Sequence, residues 1–193
     1  MILVIDNYDS FVHNLARYVR EAGASTHIVR NDAASVGELL RIHPAGVILS
    51  PGPHAPKEAG VCLDLIAALP ADIPLLGVCL GHQCLVEAFG GRTARAKVPL
   101  HGEARSVFHD GTGLFEGIAA PIFAGRYHSL ISALPERSEL VANGWSEEDE
   151  LMSVRHRTRP WFGLQFHPES LLTPEGRALI GAFLRRTHER CAA

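Results

Sequence analysis

The heptapeptide Gly77-Val78-Cys79-Leu80-Gly81-His82-Gln83 follows directly on the apolar run Ile73-Pro74-Leu75-Leu76. An apolar run ending in Gly-x-Cys-x-Gly predicts a strand, a sharp turn and the start of a helix. It is a cysteine form of the nucleophile elbow, usually written Gly-x-Ser-x-Gly. The glycines let the backbone turn tightly and keep side chains away from the nucleophile. The turn lifts Cys79 to the N-terminus of the next helix, where the helix dipole and free N–H groups favour a thiolate. A thiolate is the attacking species, so the position suits a reactive cysteine. A buried structural cysteine at a tight junction fits the same heptapeptide.

A second motif weighs between these readings. Gly163-Leu164-Gln165-Phe166-His167-Pro168-Glu169 reads as an apolar strand ending in a loop with a histidine and a carboxylate two residues apart. In extended chain, residues i and i+2 project to the same side. The intervening proline stiffens that geometry. A carboxylate beside an imidazole orients the ring and supports its cationic form. The imidazole can then take a thiol proton and later return one to a leaving group. Cys79, His167 and Glu169 thus supply a nucleophile, a base and an orienting group. Without the cysteine elbow, the second motif would read as a strand end with surface polar residues.

Together, Gly-Val-Cys79-Leu-Gly-His-Gln and Gln-Phe-His167-Pro-Glu169-Ser resemble the class I (triad) glutamine amidotransferases. The N-terminal Met1-Ile2-Leu3-Val4-Ile5-Asp6-Asn7-Tyr8-Asp9-Ser10-Phe11 and the stretch Arg126-Tyr127-His128-Ser129-Leu130 narrow the likeness. They are similar to the small glutaminase subunits of chorismate-using synthases, component II of para-aminobenzoate (4-amino-4-deoxychorismate) synthase and of anthranilate synthase. The similarity runs from Met1 to about the final helix. It implies one glutamine amidotransferase domain over residues 1–193, and a larger chorismate-binding partner, component I, that receives ammonia from L-glutamine. No chorismate site is legible in this chain, which suits a supplier of ammonia.

The resemblance also assigns roles position by position. The Pro51-Gly52-Pro53 turn matches the oxyanion strand, so the Gly52 and Leu80 N–H groups would stabilise the tetrahedral oxyanion. Gly52, Gln83 and the backbone of Ser129 and Leu130 match positions that hold glutamine. Without the resemblance, Pro-Gly-Pro reads as a rigid turn, Gln83 as a first-turn helix residue and His128-Ser129 as a loop. Two departures stand out. Many relatives read Ser-Pro-Gly-Pro-Gly or Ser-Pro-Gly-Pro-Cys where this chain has His54, and His-Gly-Lys where it has His101-Gly102-Glu103.

Composition agrees with a globular enzyme. A chain of 193 residues is long enough for one domain with a substantial core. A formal net charge of −3 offers no basic footprint for nucleic acid. The N-terminus runs straight into Ile-Leu-Val-Ile, which reads as a first strand and not as a signal peptide. No apolar run reaches membrane-spanning length. The four cysteines, Cys62, Cys79, Cys84 and Cys191, match neither a zinc site nor a Cys-x-x-Cys pair. Reduced thiols in the cytoplasm are the expected state. Cys62 and Cys84 sit in apolar patterns and read as core, and Cys191 lies near the tail. The eleven histidines show no ligand spacing, so neither a metal nor a cofactor is expected.

Strands alternate with helices through the first half. Ser10 is expected to cap the first helix, with Phe11, Leu15, Tyr18 and Val19 on its apolar face. Helices are expected over 35–42, 61–69 and from the elbow to Phe89. Strands are expected at 2–5, 27–29 and 46–49. The second half reads as short strands over 92–107, 121–127, 140–145, 151–154 and 161–166. Asp110-Gly111 and Asn143-Gly144 serve as turn signals. Thr173-Pro174-Glu175 starts the last helix with a cap and an N1 proline. The fold class is α/β, a single domain with a central, mostly parallel mixed sheet flanked by helices. In such sheets, sites lie at the carboxyl ends of the strands. Two other functions share this architecture: a stand-alone γ-glutamyl hydrolase and a catalytically silent regulatory subunit. The complete Cys-His-Glu set argues against the second.

Overall fold

The first strand is buried on both faces, and its side chains alternate between two layers. In β1 (Ile2–Asp6), Ile2 and Val4 face one hydrophobic cluster while Leu3 and Ile5 face another. The computed structural model describes residues 1–97 and 99–192, with side chains to residue 189. Val98 and the side chain of Cys191 lie outside the described residues. After β1 come α1 (Val12–Glu21), β2 (Thr26–Arg30), α2 (Val36–Arg41), β3 (Gly46–Leu49), α3 (Cys62–Ala68), β4 (Leu75–Val78) and α4 (Leu80–Ala88). The second half adds β5 (Arg92–Arg95), β6 (Glu103–His109), β7 (Ile122–Arg126), β8 (Leu130–Ala133), β9 (Leu140–Ser146), β10 (Leu151–His156), β11 (Trp161–Leu164) and α5 (Gly176–Ala192).

The main sheet has the order β2-β1-β3-β4-β11-β10-β9-β6-β7. β2, β1, β3, β4 and β11 pair in parallel, and the remaining pairings are antiparallel. Seven of the nine strands therefore point one way, with β10 and β6 reversed. β3, β4 and β11 are buried at every residue. That is the pattern required of parallel strands covered on both faces. α1 and α5 cover one face, and α2, α3 and α4 cover the other. The carboxyl ends of β1, β3, β4 and β11 come together at one edge, the expected place for a site.

Local chemistry departs from the sequence reading at several points. Ser10 does not cap α1. The helix begins after Phe11 without a side-chain cap, and Asp9 Oδ1 instead accepts the Phe11 N–H at 2.6 Å. Ser35 does cap α2, in a reciprocal capping box with Glu38. The Thr173 hydroxyl is diverted from the start of α5. It donates to His167 O at 2.7 Å and accepts the Gly125 N–H at 2.9 Å. Asn143-Gly144 is not a turn but lies inside β9, at a register shift opposite Ser153. There the Asn143 amide donates to Thr112 O, so tertiary contacts override the turn preference. The 92–107 stretch divides between a separate two-stranded sheet, β5 with β8, and β6 in the main sheet. β8 (Leu130–Ala133) is a strand that the sequence reading did not include.

Candidate active site

β4 ends at Val78, and the next residue, Cys79, is forced to φ 51° and ψ −102°. Such a conformation costs on the order of 1–3 kcal/mol and persists only where the surroundings over-determine it. Here the Cys79 N–H donates to Leu164 O at 2.8 Å, and Cys79 O accepts the Gln83 N–H at 3.0 Å. The flanking glycines are demanded by close approach. A Cβ on Gly77 would lie 2.3 Å from Gly81 O, and one on Gly81 would lie 2.3 Å from Leu49 O. Leu80 is the first residue of α4, so its N–H is one of those a helix cannot satisfy internally.

His167 arrives from beyond β11. Its N–H donates to Gly125 O at 3.0 Å, which ties the loop to β7. His167 Nδ1 donates to the Glu169 carboxylate at 2.7 Å, with the two residues only 2 % and 1 % exposed. No hydrogen bond of good geometry ends on Nε2. The Cys79 sulfur is nonetheless near enough to act on the ring. Thiol–imidazole contacts commonly tighten only when substrate binds. Burial alone would lower the His167 pKa, but hydrogen bonds and charge from Cys79 and Glu169 raise it well above its ordinary value. These partners favour the protonated form of the ring, the form that can donate a proton.

Beside Cys79 lies a cleft of about 170 Å³, lined by Gly52, Pro53, His54, Gln83 and the Tyr127–Leu130 segment. All four residues that the resemblance assigns to glutamine, Gly52, Gln83, Ser129 and Leu130, border it. Gly52 packs against the loop after β1, and a Cβ there would lie 2.5 Å from Asn7 Cβ and 2.8 Å from Leu80 Cδ2. The two amides assigned to the oxyanion are thus on adjacent residues in space. Asn7 fastens its own loop to this turn through Ser50, at 2.9 Å to Oγ and 2.8 Å to the carbonyl. His54, the departure from the relatives' pattern, adopts φ 71° and faces the cleft.

Three site residues carry no role in the sequence reading. Gln165 Nε2 lies 3.7 Å from Cys79 Sγ, and its Oε1 accepts from Gln83 Nε2 at 3.2 Å. The alternation that puts His167 and Glu169 on one side would have included Gln165 as well. His128 Nδ1 donates to Leu130 O at 2.9 Å, while its Nε2 accepts from Arg126 Nε at 3.1 Å. Burial first, and the Arg126 charge second, push the His128 pKa down to about 4, so the ring is neutral. Arg126 and His128 were visible only as parts of a matching stretch, because long-range partners leave no local pattern.

The family model described as glutamine amidotransferase class-I matches residues 3–187. The chain belongs to the class-I glutamine amidotransferases. It is 45 % identical to aminodeoxychorismate synthase component 2 of Escherichia coli, covering 96 % of this chain and 100 % of that protein. It is 46 % identical to anthranilate synthase component 2 of Pseudomonas aeruginosa, covering 96 % of each. A solved protein of Thermoplasma acidophilum, described as a GMP synthase subunit, superposes with a TM-score of 0.89. It is 28 % identical, with 99 % of this chain and 95 % of that one covered. As in other α/β enzymes, the amidotransferase cleft opens at the carboxyl ends of the parallel strands. Among the described residues no helix is long and apolar enough to cross a membrane.

Proposed function

We propose that this amidotransferase is the glutamine-hydrolysing subunit of a chorismate-using synthase, serving 4-amino-4-deoxychorismate formation, anthranilate formation or both. The observation that carries this reading is the convergence of Cys79 and the His167–Glu169 pair beside a cleft with room for one small amino acid. The Cys79 thiolate attacks the side-chain amide carbon of glutamine. The Gly52 and Leu80 N–H groups receive the developing oxyanion. His167 protonates the departing ammonia, and Glu169 keeps the ring oriented. Water, deprotonated by His167, then hydrolyses the γ-glutamyl thioester to glutamate and frees the thiol. Gln83 and the Ser129–Leu130 backbone hold the amino acid end of the substrate.

The relatives' names favour a synthase partner over stand-alone hydrolysis, since both are component 2 of a synthase. Identities of 45 % and 46 % do not separate the two products.

Ammonia release from glutamine, measured with and without each component I, tests the reading. Stimulation by one or both large subunits is expected, and it names the product. Cys79→Ala in the complex should abolish glutamine-dependent synthesis and keep synthesis from added ammonium salt. Full hydrolysis by the free chain with no response to either partner would favour the stand-alone hydrolase. No hydrolysis under any condition would favour the silent subunit.

A further inference from the structure

The hydrogen bond from His167 Nδ1 to Glu169 orients the ring, but one bond at one edge leaves the side chain room to swing about χ1. Such a swing would carry Nε2 away from Cys79. The neighbours that could prevent this are aromatic. Tyr127 packs edge-on against His167 with centroids 4.9 Å apart at 65°, and Phe11 does so at 5.6 Å and 66°. Phe11 and Tyr127 also touch each other at 5.3 Å. The three rings close a triangle, and each separation falls in the roughly 4.5–7 Å range of favourable aromatic pairs.

We propose that Tyr127 is a positioning residue for the His167 base, holding the imidazole plane with the help of Phe11 so that Nε2 stays directed at Cys79. The word base here rests on the function proposed above. Tyr127 is itself anchored. Its hydroxyl meets Ser170 Oγ at 3.1 Å, and the Ser170 N–H donates to His167 O at 3.2 Å. The tyrosine is therefore bonded to the same turn that carries His167 and Glu169. Its backbone is strapped on both sides, because the Gly102 N–H donates to Arg126 O at 2.9 Å and the Leu100 N–H to His128 O at 3.2 Å. Phe11 is held by the 2.6 Å bond from its N–H to Asp9.

Ordinary core packing is the competing account of these rings. Tyr127 and Phe11 are both half-buried, belong to neither hydrophobic core cluster, and Tyr127 lines the open cleft beside Cys79. Packing at that place acts on the site more than on the interior. Charged and titratable groups also face the base. Besides Cys79 and Glu169 these are Asp9, through its charge, and His128, whose protonation the His167 charge opposes. Of these only Glu169 orients the ring by a hydrogen bond, and the two aromatic rings limit the swing it leaves.

The test is the pH dependence of Cys79 alkylation by iodoacetamide on the free chain, followed by peptide mapping, for the wild type, Tyr127→Leu, Tyr127→Phe and Phe11→Leu. A misdirected imidazolium no longer supports the thiolate. Tyr127→Leu should therefore move the rise of the rate with pH upward by about one unit or more. In the complex with component I, kcat for glutamine should fall by about tenfold or more, with KM within about threefold. Phe11→Leu should shift the profile the same way by less. Tyr127→Phe keeps the ring and should restore the wild-type profile. A Tyr127→Leu profile that superposes on the wild type, or a loss confined to KM, overturns the proposal. Should Tyr127→Leu fail to fold by circular dichroism, Phe11→Leu decides on the same readout. Alkylation needs no glutamine hydrolysis, so a shifted profile in a chain that releases no ammonia would keep this proposal while rejecting the proposed function.

Discussion

Arg126 and Glu150 form a buried ion pair: Nη2 donates to Oε2 at 2.6 Å, and each side chain is 1 % exposed. The same guanidinium donates through Nε to His128 Nε2, and His128 donates its one N–H, on Nδ1, to Leu130 O. Glu150 Oε1 accepts the Lys97 N–H at 2.7 Å on the far side. The backbone assigned to the glutamine carboxylate and ammonium is thus carried on a buried charge pair. Such pairs add little net stability against an apolar replacement, but breaking one leaves an uncompensated charge.

Glu150→Gln should cost about 3 kcal/mol, at the lower end for a broken buried pair. Glu148 still faces the guanidinium at 3.3 Å and softens the loss. Because the damage reaches the site through the Ser129–Leu130 backbone, KM for glutamine should rise more than kcat falls. Glu148→Gln, with that side chain 33 % exposed, should cost about 1 kcal/mol or less. Thermal melts and steady-state kinetics of the two variants check both statements. Equal effects would mean the pair does not support the loop.

A glutamine-mimicking electrophile should label Cys79 and spare Cys62, Cys84 and Cys191. Cys79 borders the cleft, whereas Cys62 and Cys84 are fully buried. The Cys62 hydrogen bond, burial and nearby negative charge also push the Cys84 thiol up, away from the reactive thiolate. Peptide mass mapping after stoichiometric inactivation reads the outcome. Label mainly on Cys84 would reassign the nucleophile.

His167→Ala should slow thioester formation by about 10²–10⁴-fold, the usual contribution of a general acid–base group. Glu169→Gln should lose less, since the amide can still accept from Nδ1 but no longer supports the cation. Rapid-quench measurement of the acyl-enzyme ranks the two. A larger loss in Glu169→Gln would give the carboxylate a direct part in proton transfer.

Two buried histidines predict acid sensitivity. Complete burial pushes the His82 pKa down to about 3, and burial with the Arg126 charge takes His128 to about 4, against an ordinary 6.5. Between those values and 6.5 the unfolded chain binds more protons than the folded one, so stability falls as pH falls. The slope is about 1.4 kcal/mol per pH unit for each ring once the pH is well below 6.5. His167, raised instead, opposes this fall near pH 6.5 and above, and adds nothing to the slope well below 6.5, where it is protonated in both states. Urea midpoints from about pH 6 to about pH 4.5 should drop steadily, and His128→Gln should flatten the fall. A flat wild-type profile over that window would mean both rings find proton acceptors.

Some of this protein is written in short windows of sequence, and some is not. The elbow is legible because its demands are local. Gly77 and Gly81 stand where a Cβ would strike backbone, and a strand must feed a helix there. His167 and Glu169 are legible for the same reason, as i and i+2 in an extended segment. The α/β alternation follows from apolar periodicity. What tertiary structure alone decided is where distant polar groups go. Thr173 could cap a helix or hold His167, and Asn143-Gly144 could turn or run through β9; each choice was made by partners 30 or more residues away or across the sheet. The Arg126–Glu150 pair, the Gln165 contact with Cys79 and the aromatic triangle around His167 depend on strand order as well. They join residues that only the closed sheet makes neighbours, so no single stretch of chain records them.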